Sequence, residues 1–176
     1  MINYPANLFF DLETLLNVAQ PSSILLLGDT DPQFLQPYLE QKAALQQNCS
    51  ITSIVTAEID KFDALDTQFD VGIALGLFEN LSKTQGQTIL CKLRDVLTTQ
   101  YCIGLTIGAG NPEQNWQLND LFAFALDRVG SYRADSSDQS KQYGLFKYNI
   151  MAYKKTPGWL NTDNWANPDM WNKYRW

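Results

Sequence analysis

Two unbroken apolar runs of strand length constrain this chain more than any other feature. They are Ser23-Ile24-Leu25-Leu26-Leu27-Gly28-Asp29 and Phe69-Asp70-Val71-Gly72-Ile73-Ala74-Leu75-Gly76. A strand wetted on one face alternates apolar and polar residues. A run that hardly alternates is buried on both faces, as in the middle of a parallel sheet covered by helices. The two runs therefore predict adjacent central strands over residues 24–28 and 71–75.

The intervening segments supply the helices. Leu8, Leu12, Leu15, Leu16 and Ala19 recur at helical spacing, with Asn7 as N-cap and Pro21 as stop. Pro37 fits the first turn of a second helix reaching about residue 47, because a missing N–H costs nothing there. The β-branched segment 51–57 predicts a strand, and an acidic linker, 58–68, follows it. Ile89, Leu90, Leu93 and Leu97 mark another helix, and residues 101–107 another buried strand. Leu118, Leu121, Phe122, Ala125, Leu126 and Val129 give the cleanest helical stripe in the chain. Residues 142–154 read as a closing strand. The polar run 135–141 before it is a loop, or the tip of a hairpin whose other arm begins near Ser131. Alternation of strands and helices implies right-handed crossovers. The expected fold is α/β, a mainly parallel sheet with helices on both faces and an antiparallel C-terminal edge.

Composition bounds what such a domain can do. A 176-residue chain that is 45% hydrophobic and 18% charged makes one globular domain. There is no histidine, which excludes histidine triads, histidine-ligated zinc and histidine proton shuttles within one chain. Cys49, Cys91 and Cys102 are scattered and read as free thiols of a reducing, cytoplasmic compartment. The start has no signal-peptide pattern, and no apolar run approaches the ~20 residues a membrane helix needs. Residues 1–100 hold five basic and twelve acidic side chains, and residues 101–176 hold eight and seven. Neither half offers the basic stripe that nucleic acid selects. No P-loop lysine motif and no G-x-G-x-x-G turn is present, and no metal site is expected; Asp29 with Asp31 reads as solvated acid.

The order of elements over roughly residues 8–154 resembles the class I S-adenosylmethionine (SAM) methyltransferases. The turn Gly28-Asp29-Thr30-Asp31-Pro32 occupies the place of that family's glycine-rich cofactor loop, broadly D/E-x-G-x-G. Gly28 matches, whereas Asp31 and Pro32 stand where a later glycine is expected. Glycines there let backbone approach the ligand; Asp and Pro add bulk and remove a donor. Phe69-Asp70-Val71-Gly72-Ile73-Ala74-Leu75-Gly76-Leu77-Phe78-Glu79-Asn80-Leu81 is the best local match, similar to an apolar strand followed by a Leu-Glu-His-Leu-like stretch, with Asn80 in place of the histidine. Helix capping or a loop role is the plainer reading of Glu79 and Asn80. About ten residues separate the second strand from the Phe69 strand, too few for a full crossover. An element of the usual seven-stranded sheet is thus missing or merged.

What the resemblance implies is a cofactor cleft lined by Gly28, Asp29, Glu58, Asp63 and Leu75. Glu58 would accept hydrogen bonds from ribose hydroxyls, Gly28 would allow close backbone approach, and Asp29 would meet the ligand's amino end. The catalytic residues stay unassigned. The altered turn and shortened middle favour a non-catalytic binding or accessory module with a small-molecule ligand. The alternative is an active SAM-dependent methyltransferase, since methyl transfer can run mainly on positioning. Residues 1–156 form the domain. Residues 157–176 form a tail with Trp159, Trp165, Trp171 and Trp176, expected to pack on its own domain, on a second copy in a homo-oligomer, or over the cleft mouth.

Overall fold

The computed structural model describes residues 4–107, 115–133 and 142–153. The aromatic tail and the polar run 135–141 lie outside them. Six strands form one sheet in the order β2-β1-β3-β4-β6-β5. β1 (Ser23–Leu27), β2 (Ser50–Ile54), β3 (Phe69–Leu75) and β4 (Thr98–Ile107) are mutually parallel. β6 (Gln142–Asn149) runs antiparallel to β4, and β5 (Asp127–Arg133) antiparallel to β6. The two apolar runs are adjacent central strands, in register from Ile24↔Val71 to Leu27↔Ala74, as their patterning predicts.

Strand side chains alternate between two cores. Ile24, Leu26, Val71, Ile73, Leu75, Cys102 and Leu145 pack with Leu8, Leu12 and Leu16 of α1 (Ala6–Ala19) and with Tyr38 of α2 (Gln36–Ala44). Leu25, Leu27, Ala74, Ile103, Leu105 and Phe146 pack with Phe62 of α3 (Asp60–Asp63) and with Ile89 and Leu90 of α4 (Lys83–Lys92). The sheet is therefore covered on both faces, which is why its central strands do not alternate.

Element ends depart from the sequence expectations for local reasons. Pro5, not Asn7, is the N-cap of α1 and supplies no side-chain bond. The helix ends where Gln20 turns left-handed (φ 50°) and donates its N–H to the Leu16 carbonyl, one residue before Pro21. A 3-10 turn, Pro32–Leu35, precedes α2 and is capped by the Asp31 carboxylate, which accepts from the Gln33 N–H at 2.9 Å. α2 stops at Ala44, before the expected residue 47, and Gln46 is again left-handed (φ 56°). The predicted strand 51–57 begins one residue earlier and ends three earlier, at Ile54, because Thr56–Glu58 coils into a 3-10 turn. Two short helical turns fill the linker to β3, and among the described residues no strand does. The sheet thus has six strands, with β2 at its edge.

The stripe from Leu118 to Val129 is the largest correction. Helix α5 covers only Leu118–Ala123. Ala125 adopts φ 59°, and the chain then enters β5. Leu121 and Leu126 are fully buried in the α4 layer, Val129 packs in the α1 layer, and Phe122 points outward. Pairing with β6 outweighs the local helical period. β5 is the first arm of the expected hairpin, beginning four residues before Ser131. At the other end, the closing strand stops at Asn149, where α6 (Ile150–Tyr153) begins; the Asn149 side chain accepts from the Met151 N–H at 2.8 Å. No described helix is long and apolar enough to cross a membrane, and Cys49, Cys91 and Cys102 are free.

Candidate functional site

In an open parallel sheet, ligands bind beyond the strand carboxyl ends, at the point where successive connections leave in opposite directions. Here that point lies between β1 and β3, since β1 leads outward to β2 and β3 leads the other way to β4. Two tight turns meet there. Gly28 has φ +105°, and a Cβ on it would stand 2.1 Å from the Leu75 carbonyl oxygen. Its N–H donates to the Ile54 carbonyl at 2.9 Å. Gly76 has φ +68°, and its N–H donates to the Tyr4 hydroxyl at 2.8 Å.

Side chains stitch these turns together. Asp29 Oδ1 accepts from the Thr56 N–H at 2.9 Å, tying β1 to the turn after β2. Asp29 Oδ2 accepts from Asn80 Nδ2 at 3.2 Å, and the same nitrogen donates to the Gly76 carbonyl at 3.0 Å. Asn80 therefore spans the β1–β3 crevice. The hydroxyls of Thr30 and Thr56 are buried without a hydrogen-bond partner among the described residues. They are sealed into the turn packing and present no accessible polar group to the crevice.

The structure brings Gly28, Asp29 and the Leu75 backbone together. The Leu75 side chain is fully buried in the α1 layer. Glu58 sits on the 3-10 turn after β2 and pairs with Lys61 at 2.7 Å. Asp63 is exposed at the end of α3; its carbonyl, like that of Phe62, accepts from Lys92 Nζ, at 2.7 and 2.8 Å. Counted from Gly28, the acid of the D/E-x-G-x-G pattern falls on Leu26, which is buried in the α1 layer. The second glycine falls on Thr30, not on Asp31 or Pro32 as the sequence reading places it, and the Thr30 hydroxyl oxygen stands 3.4 Å from where a Gly76 Cβ would be. Among the described residues no group of three or more acidic or thiol side chains could hold a metal.

A second cluster lies beside the crevice, and sequence reasoning left it unassigned. β4 outruns β3: their pairing ends at Leu75↔Gly104, while β4 continues to Ile107. The Thr106 N–H thus faces no strand on that side, and Glu79 supplies its acceptor. Glu79 Oε1 receives the Thr106 N–H at 3.0 Å, the Thr106 hydroxyl at 3.3 Å and the Tyr4 hydroxyl at 3.3 Å. The Tyr4 hydroxyl also lies 3.0 Å from the Gly104 carbonyl. Glu79 is exposed as a residue; its bonds to Thr106 lie at the surface and its bond to the Tyr4 hydroxyl is part-buried. Burial raises its pKa above the ordinary carboxylate value, and the bonds from Thr106 and Tyr4 oppose that rise. Burial, then the neighbouring Glu79 charge, push the Tyr4 phenol well above its usual range. The capping role expected of Glu79 or Asn80 falls instead to Ser82 and Gln85, which form a capping box on α4. The missed signal is Tyr4, a tyrosine just ahead of the first helix with no pattern to mark it.

With this geometry in place, the comparisons define first a class. The fold is that of the SAM-dependent methyltransferases. A Burkholderia thailandensis 1,6-didemethyltoxoflavin-N1-methyltransferase, solved with S-adenosylhomocysteine (SAH), aligns with a TM-score of 0.52 at 14% identity, covering 80% of this chain and 76% of that one. The magnesium protoporphyrin IX methyltransferase ChlM of Synechocystis PCC 6803, also with bound SAH, gives 0.52 at 8% identity, covering 80% and 81%. TehB of Haemophilus influenzae gives 0.51 at 10% identity, covering 80% and 62%. No protein of curated function matches the sequence. The chain itself belongs to a family of unknown function, DUF6231, whose model matches residues 7–176.

Proposed function

We propose that this chain is a non-catalytic binding or accessory module built on the methyltransferase-like fold, with a small-molecule ligand at the strand carboxyl ends. The observation that carries the reading is the Asn80 bridge across the β1–β3 crevice. Asp29, the residue placed to meet the amino end of SAM, has both carboxylate oxygens engaged within the protein. Thr30 fills the place of the second pattern glycine, and Pro32 carries no N–H. The side chains of this turn therefore do not fit the methionine end of SAM. Glu58, Asp63 and the Gly28 turn would line the adenosine side if an adenosyl ligand entered. Free thiols fit a reducing, cytoplasmic setting.

Calorimetric titration with SAM and with SAH tests the reading. No binding heat in the micromolar range is expected. Micromolar binding with turnover on any methyl acceptor would replace this reading with the enzyme one. The observation favouring that second reading is Glu79, a carboxylate beside the crevice that could accept a proton from an attacking group.

A further inference from the structure

Beside the Asn80 bridge, a hollow of about 190 Å³ opens between the ends of β3 and β4. Glu79, Thr106, Phe78 and Trp116 line it, together with Leu81, Leu105 and Asn115. We propose that this hollow is a binding site for a small organic ammonium ion, held by the Glu79 carboxylate and the Phe78 and Trp116 rings. The proposal gives the binding-module reading a ligand class, and it uses none of the Asp29 turn.

Charge is the first argument. Three donors converge on Oε1 of Glu79, and all are neutral. No cation pairs with Glu79 among the described residues, and none of the described residues lining the hollow is basic. A carboxylate partly withdrawn from water, with no counter-charge, attracts a cation strongly. The hydrogen bonds hold it in one orientation before any ligand arrives, so binding loses little side-chain freedom.

The aromatic wall is the second argument, and it is independently fixed. Phe78 and Trp116 meet edge to face, with centroids 5.5 Å apart and planes at 79°. Gly86, in the middle of α4, has Trp116 Cζ2 only 2.6 Å from where its Cβ would be, and Phe78 Cδ1 at 3.0 Å. A mid-helix glycine is destabilising relative to alanine. Here the missing side chain is what seats the ring pair against the helix. Ring faces carry negative quadrupole and favour cations, methylated ammonium groups above all. Metal cations fit less well, because among the described residues lining the hollow Glu79 is the only acidic or thiol side chain.

The test is titration of the full chain with tetramethylammonium chloride, followed through the indole N–H signal of Trp116 by NMR. Sodium chloride at equal ionic strength and tert-butanol, a neutral molecule of similar shape, are the controls. We expect a saturable shift with tetramethylammonium alone, in the millimolar range. Glu79→Gln keeps an acceptor for Thr106 and should weaken binding about tenfold or more. Phe78→Leu, which keeps the Trp116 reporter, is the second variant and should do the same while Glu79 stays in place. A response equal to either control, or unchanged affinity in a folded Glu79→Gln protein, overturns the proposal. SAM and SAH titrations read the other crevice, so failure here leaves that result standing.

Discussion

Replacing Gly28 with alanine should be among the most damaging small changes available to this chain. At φ +105° an L residue lies beyond the left-handed basin, a strain of about 1–3 kcal/mol. The added methyl would sit 2.1 Å from the Leu75 carbonyl oxygen, a backbone atom that no rotamer change can move. Relief therefore requires the two turns to separate, which also stretches the 2.9 Å bond from the Gly28 N–H to the Ile54 carbonyl. Such a bond contributes about 0.5–1.5 kcal/mol. Together with the lost packing, the expected cost is roughly 3–5 kcal/mol, in the range reserved for severe substitutions. Gly76→Ala is the internal control. Its Cβ would meet Thr30 Oγ1 at 3.4 Å, an ordinary contact, at φ +68°. There only the left-handed strain of about 1–2 kcal/mol applies. Urea denaturation followed by circular dichroism, with unchanged m-values, measures both. A Gly28→Ala loss no greater than that of Gly76→Ala would refute the interlocked turns.

Three further expectations follow from the same structure. The raised Glu79 pKa means the folded state holds that proton more tightly than the unfolded chain. Its contribution to stability is therefore greatest below the ordinary carboxylate range and declines as pH rises through the raised value. Glu79→Gln should flatten this decline in a melting-temperature series from pH 4 to 7 (about the span of carboxylate titration), and an unchanged slope would contradict it. Burial pushes the Cys102 thiol up to about 12, so a thiol reagent should label Cys49 and Cys91 in the native protein and Cys102 only on unfolding; rapid native labelling at Cys102 would contradict its burial. For the tail, truncation after Lys155 should lower solubility or melting temperature, and an equally stable soluble monomer from a monomeric parent would reduce residues 157–176 to a partner-binding peptide.

The sheet was legible in the sequence wherever burial was two-sided. The runs around Leu26 and Ile73 have no polar face, and only a covered central strand tolerates that. The short interval before Phe69 likewise announced a reduced sheet. Legibility failed where non-local pairing competed with a local pattern. Nothing in Leu118 to Val129 signals that Ala125 turns left-handed and that the following residues join β6. The candidate site shows the same division. Gly28 and Asp29 stand out in the sequence as a turn directly after an apolar strand, although their partners Ile54, Leu75, Thr56 and Asn80 are distant in the chain. The Glu79 cluster joins Tyr4, Glu79 and Thr106 across separations of 75 and 27 residues, and only the folded chain exposes that convergence. Glu79 looked like a loop residue because its partner is an orphan N–H created by two strands of unequal length.

The Asn80 bridge also bears on how this molecule can change. Deleting Asn80 alone takes the amide donor from Asp29 Oδ2, and deleting Asp29 alone leaves the Thr56 N–H and the Asn80 amide short of an acceptor. Each single step toward an open, glycine-lined turn is thus penalised, and the second step costs less than it would alone, because the Asp29–Asn80 bond is already lost. Such mutual dependence is epistasis, and a double-mutant cycle at Asp29 and Asn80 would read it as non-additive stability. A lineage or an engineer wishing to reopen this crevice would have to rewrite both strand ends together, so the present state is easier to keep than to leave.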